Sequence, residues 1–125
     1  MDRNIFLVAF GGLLGSVARY LVAVLFAAQF TSSFPLATFT VNISGCFIIG
    51  ILFALSDRGN ILSPEWRIFL TTGFCGGFTT FSTFSYESIK LMQDGEFFYV
   101  GLNVVLSVVI GFSATYLGIL LVRSV

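Results

Sequence analysis

The sequence predicts an all-α integral membrane protein with four transmembrane helices, the third broken near its middle. Three observations carry this. Only six basic and six acidic side chains occur among 125 residues, and 57% of the chain is hydrophobic; a soluble domain carries roughly one-quarter charged residues. Long apolar runs separated by short polar connections fill the chain, and a helix needs roughly 20 apolar residues to cross a bilayer core. One run is interrupted by "TTGFCGGFTTFSTFSYE", Thr71 to Glu87, where glycines and hydroxyl residues stand in place of aliphatic ones. No sustained period-two alternation appears, so neither strands nor a barrel are supported. Residues 1–125 read as a single four-helix domain.

Helix 1 is expected over about residues 4–28. Its start, "MDRNIFLVAFGGLLGSVARY", holds one early arginine, and the apolar run continues past Arg19 to Phe26 without a convincing cleavage site. It therefore reads as a retained helix. "QFTSSFPLA" ends it, with Pro35 marking the turn or the start of the next element. Helix 2 is expected over about 36–55, followed by the polar connections "SDRGN" and "LSPE". Ser63 is a candidate N-cap with Pro64 at the first helical position. Helix 3 is expected over about 66–92, "QDGE" forms a tight turn, and helix 4 covers about 97–121.

Short connections make successive helices antiparallel neighbours. An even number of crossings puts both termini on one side with Arg3, Arg58, Arg67 and Arg123, leaving Lys90 on the other. The positive-inside rule places that side in the cytoplasm. So small a bias also allows insertion in both orientations. Small residues recur at four-residue spacing: Gly11 and Gly15; Cys46 and Gly50; Ser107, Gly111 and Thr115. Such faces let membrane helices approach closely. Four thin helices enclose little space, so a pathway forms more easily between subunits.

The formal net charge is zero and no basic run points to nucleic acid. The chain has no histidine, which excludes histidine ligands and bases. Cys46 and Cys75 read as small buried apolar residues rather than a pair. No carboxylate is expected mid-span, which argues against an enzyme and against a simple proton-coupled transporter. Glu87 is the nearest acidic candidate, expected close to the membrane edge.

Four places remain where chemistry could reside. Arg19 is the one charge well inside a predicted span; it either serves an aqueous vestibule or snorkels to the headgroups. Asn42 in "FTVNISG" must find hydrogen-bond partners, either on another helix or on an anion. Gly73, Gly76 and Gly77 are poor helix formers, and Thr79, Thr80, Ser82 and Thr83 can bond back to the backbone. Carbonyls freed near Gly76 to Thr79 could hold a cation. Phe81 and Phe84 share a helix face, beside Ser82 and Thr83. Their ring edges are electropositive, so with amide and hydroxyl donors they could line an anion path without fixed charge. The plainer reading is that these rings pack.

"GGLLGSVARY" from Gly11, "ATFTVNISG" from Ala37 and "TTGFCGGFTTFSTFSYE" closely resemble the small fluoride channels of bacteria, the Fluc or CrcB-type family. The third motif is highly specific, and the likeness covers nearly the full chain. Ala37 departs from the glycine often found there, at a loop end. The resemblance implies an antiparallel dual-topology homodimer in the bacterial inner membrane, with two pores that export fluoride passively and no other protein partner. It implies that Asn42, Phe81 and Phe84 meet fluoride, with Ser82 and Thr83 as a polar track and Ser107 as a further pore hydroxyl. Arg19 would be the vestibule arginine, and the carbonyls of Gly76 and Thr79 would hold a structural sodium ion. The alternative is a small four-span multidrug exporter. That class needs an acidic residue in helix 1, and none lies between Asp2 and Asp57. Fluoride over chloride rests on the resemblance alone.

Overall fold

The computed structural model describes residues 2–59 and 61–125. Met1, and Asn60 in the "SDRGN" connection, lie outside the described residues. Six α-helical pieces and one π-helical segment form the described chain: α1 (Asp2–Gln29), α2 (Leu36–Asp57), α3 (Pro64–Ile68), a π segment (Phe69–Cys75), α4 (Gly76–Phe78), α5 (Phe81–Gln93) and α6 (Phe97–Arg123). No strand occurs among the described residues. Helices α1, α2 and α6 are long and apolar enough to cross a membrane. Pieces α3 to α5 together make the third rod in chain order, which is why none of them qualifies by itself.

The ends follow local chemistry. Ser63 accepts from Trp66 N at 3.3 Å, and Pro64 takes the first helical position of α3, as the sequence predicts. The "QDGE" turn closes through Gly95 at φ +77°, a conformation that costs glycine little. Helices 1, 2 and 4 run slightly past their expected bounds, because Asp2, Arg3 and Gln29, Ser56–Asp57 and Val122–Arg123 continue the helical turns. Arg3 pairs with Glu65 at 2.6 Å, and Arg58 donates to Arg123 O at 3.4 Å. The two termini and the α2–α3 connection thus gather at one end.

The third rod differs in detail from expectation. Glycine was expected to break it, yet Gly73 lies inside the π segment, and Gly76 and Gly77 are helical. The chain unwinds just beyond them, at Thr79 (φ −88°, ψ 159°) and Thr80 (φ −153°, ψ 122°), both extended. Gly73 and Gly77 serve contact instead. A Cβ on Gly11 would lie 2.5 Å from Phe69 O, and one on Gly77 the same distance from Gly12 O. A Cβ on Gly15 would collide with Phe74 O. α1 therefore lies directly on the backbone of the π segment and α4. The α2–α6 contact uses the same device: Gly50 faces Thr115 O, and Gly118 faces Phe47 O, each with no room for a methyl group.

The buried core is thin, with Val41, Leu52, Ala54, Cys75, Leu91, Ala114 and Val122 as its apolar members. Phe6, Phe81, Phe98 and Phe112 are among many large apolar side chains left exposed. Soluble monomers do not leave so much contiguous apolar surface uncovered. Lipid accounts for it without strain.

Candidate ion pathway

The site is organised by one interruption. Thr80 N–H, which an unbroken helix would give to Gly76 O, goes to Asn42 Oδ1 at 2.8 Å. Asn42 Nδ2 returns a bond to Thr80 O at 3.0 Å. The amide thus replaces the helical bond that Thr80 N–H forfeits and adds a donor to the carbonyl of the residue that caps α5, which meets the requirement that buried backbone groups be paired. Gly76 O loses its helical donor in the exchange. Thr79 is kept compact on its N-terminal side, since its N–H and Oγ1 both donate to Cys75 O, at 3.0 and 2.8 Å. Gly45 on α2 leaves room for the Thr79 methyl group.

Helix α5 then restarts with its own cap. Thr80 Oγ1 accepts from Thr83 N at 3.1 Å and sits 3.2 Å from both Ser82 Oγ and Thr83 Oγ1. Arg19 reaches the break from α1, where its Nε donates to Gly77 O at 3.1 Å. It is half-buried and docked on backbone, which ties α1 to α4.

A groove of about 470 Å³ opens beside the break. Asn42, Gly76, Thr79, Phe81, Phe84 and Ser107 are all on its wall. Phe81 and Phe84 have ring centroids 5.7 Å apart at 43°, and Phe81 is 79% exposed. Ser82 and Thr83 are not on that wall; they face the cap hydroxyl of Thr80. Arg19 also stands apart, on the α1 side. Six of the nine sequence-derived residues therefore meet in one groove, and the other three flank it.

Of two further polar features, Asn103 escaped the sequence reading and Glu87 did not. Asn103, 1% exposed in α6, donates from Nδ2 to Ser88 Oγ at 3.1 Å and accepts from Ser107 Oγ at 3.4 Å. The rule that singled out Asn42, an amide inside an apolar run, applies equally to "GLNVVLSVV". Glu87 accepts from Thr38 Oγ1 at 2.8 Å, and its Oε2 is buried without a partner. Thr38 lies in the first turn of α2, so Glu87 sits toward one end of the bundle.

Residues 6–119 match the family described as "CrcB-like protein, Camphor Resistance (CrcB)". The chain belongs to the CrcB-like family. Proteins called "Fluoride-specific ion channel FluC" are similar to it nearly end to end. The one from Chlorobium luteolum is 53% identical over 94% of this chain and 90% of its own length. That from Chlorobium chlorochromatii is 52% identical over 96% and 92%. That from Flavobacterium psychrophilum is 43% identical over 97% and 98%. With three membrane-length apolar helices, this CrcB-like chain is a multi-pass membrane protein.

Proposed function

We propose that this chain is a fluoride-selective channel that lets fluoride leave the cytoplasm passively. One observation carries the reading: the chain matches fluoride-channel relatives nearly end to end, and six of the nine residues that their resemblance points to line one groove. The groove wall offers weak donors suited to an anion. Ring edges of Phe81 and Phe84 and the second amide proton of Asn42 are such donors, and Ser107 brings a hydroxyl to the same wall, turned toward Asn103. Weak, multiple contacts favour conduction, because an ion that binds too tightly does not leave. Arg19 spends Nε on Gly77 and keeps its Nη groups for attracting anions, while Ser82 and Thr83 support the start of α5.

The working unit is an antiparallel homodimer with two pathways, inserted in both orientations in a bacterial inner membrane. An open groove on a single chain, floored by exposed phenylalanine, supports this, since a second copy would close it. The carbonyls of Gly76 and Thr79 fit a sodium ion in kind, being hard oxygen donors at a break where Gly76 O has lost its helical partner. Two per chain make an incomplete shell that a second copy completes. The ion would be structural, holding two breaks together.

The test is fluoride efflux from proteoliposomes holding the purified chain, followed with a fluoride electrode, with chloride efflux in parallel. Fluoride release well above empty vesicles with little chloride release is expected. No fluoride release from folded protein refutes the reading.

A further inference from the structure

Ser107 reaches the groove, but its proton does not. The hydroxyl donates to Asn103 Oδ1, so the groove meets an oxygen lone pair, which repels an anion. Behind it runs a chain of three bonds: Ser107 to Asn103 at 3.4 Å, Asn103 to Ser88 at 3.1 Å, and Ser88 to Phe84 O at 2.8 Å. Asn103 and Ser88 lie behind the wall, both buried, at the α5–α6 contact. The bond at the groove is the longest, and the bonds shorten inward.

From this we infer that Asn103 is a positioning residue whose side-chain amide turns over to present the Ser107 proton to an anion. An amide's two ends occupy nearly the same volume, so the turn needs no extra room. After it, Nδ2 donates to Ser107 Oγ and Oδ1 accepts from Ser88 Oγ. Ser88 gives up Phe84 O, an i−4 carbonyl that it can leave without breaking the helix. Every buried group remains paired in both states, and no proton changes owner. In the turned state Ser107 accepts one bond while donating another, and such chains strengthen each member. An apolar residue at 103 would leave Ser107 without this backing. The inference rests on the fluoride reading and names a residue that sets the polarity of that pathway.

The experiment begins with wild-type fluoride efflux, because its absence defeats the function reading rather than this one. Asn103→Leu, Ser107→Ala and the double variant are then measured, per folded protein. Each single variant should lose about tenfold, the worth of one hydrogen bond to an ion, and the double should lose no more than either. Additive losses, or Asn103→Leu that loses stability but keeps flux per folded protein, would make Asn103 a packing strut and overturn the inference. A second readout needs no variant: the Asn103 side-chain 15N resonances of the wild-type protein should shift with fluoride and not with chloride. Resonances unmoved at saturating fluoride also overturn it.

Discussion

The side chain of Asn42 pairs with the backbone of Thr80 in both directions, accepting from its N–H at 2.8 Å and donating to its carbonyl at 3.0 Å. An α2 amide thus takes the Thr80 N–H that a continuous third rod would give to Gly76 O and braces the Thr80 carbonyl. Asn42→Ala leaves both Thr80 groups without this partner, at a cost of about 1–3 kcal/mol for each unsatisfied group. Thermal unfolding in detergent should show a lower midpoint, and fluoride flux should fall with it. An unchanged midpoint would show that the break does not depend on Asn42.

Glycine contacts give a second prediction. Gly50→Ala drives a methyl group onto Thr115 O, and Gly118→Ala drives one onto Phe47 O. Each should cost about 1–3 kcal/mol by overpacking. Gly12→Ala is the control, because its Cβ would meet nothing nearer than Gly73 O at 3.8 Å. That change should be neutral, or stabilising by up to about 1 kcal/mol through helix propensity. Equal stability of all three variants would contradict the backbone contact between α2 and α6.

These two predictions separate what the sequence reveals from what it hides. The long apolar helices, the Ser63–Pro64 start and the small-residue faces are legible because each depends on neighbours within one turn. The placement of the break is not. Gly76 and Gly77 look like breakers, but they are helical, and Gly77 makes room for α1. The chain extends at Thr79 and Thr80, where Asn42, 38 residues earlier, supplies the replacement bonds. Arg19 was visible as a charge in a span, while its docking on Gly77 O depends on how α1 lies against α4. Asn103 was equally visible as an amide in an apolar run, yet its meaning depends on Ser88 from another helix.

If Gly76 and Thr79 carbonyls enclose a structural sodium, flux should fall when sodium is thoroughly replaced by a large organic cation. Restoring sodium should restore it. Full flux without sodium counts against the ion, and a stoichiometric sodium current coupled to fluoride counts against its structural role.

Dual insertion can be read from the "QDGE" turn, which lies at the end of the bundle opposite the paired Arg3 and Glu65. Glu96 is exposed there. Glu96→Cys, in a chain lacking Cys46 and Cys75, should react with a membrane-impermeant thiol reagent from both sides of the membrane. Labelling from one side alone in intact cells would exclude dual insertion.

The phenylalanines decide between packing and conduction. Phe81 is 79% exposed in the single chain, so Phe81→Ile removes little that this chain uses for its own stability. Phe84 is half-buried on the groove wall, and Phe84→Ile should cost on the order of 1–3 kcal/mol as an imperfect swap. Both changes keep apolar bulk and remove the electropositive ring edge. If the edges meet the ion, fluoride flux collapses in both variants although the protein still folds and assembles. The loss should not track stability, since the exposed Phe81 would lose flux as severely as Phe84. If the rings only pack, Phe81→Ile keeps its flux, and Phe84→Ile loses no more than its loss of folded protein explains. Efflux measured with a fluoride electrode, normalised to correctly assembled protein, separates the two. Near-normal efflux from both variants would defeat the ring-edge mechanism and leave the hydroxyl and amide donors to carry the ion.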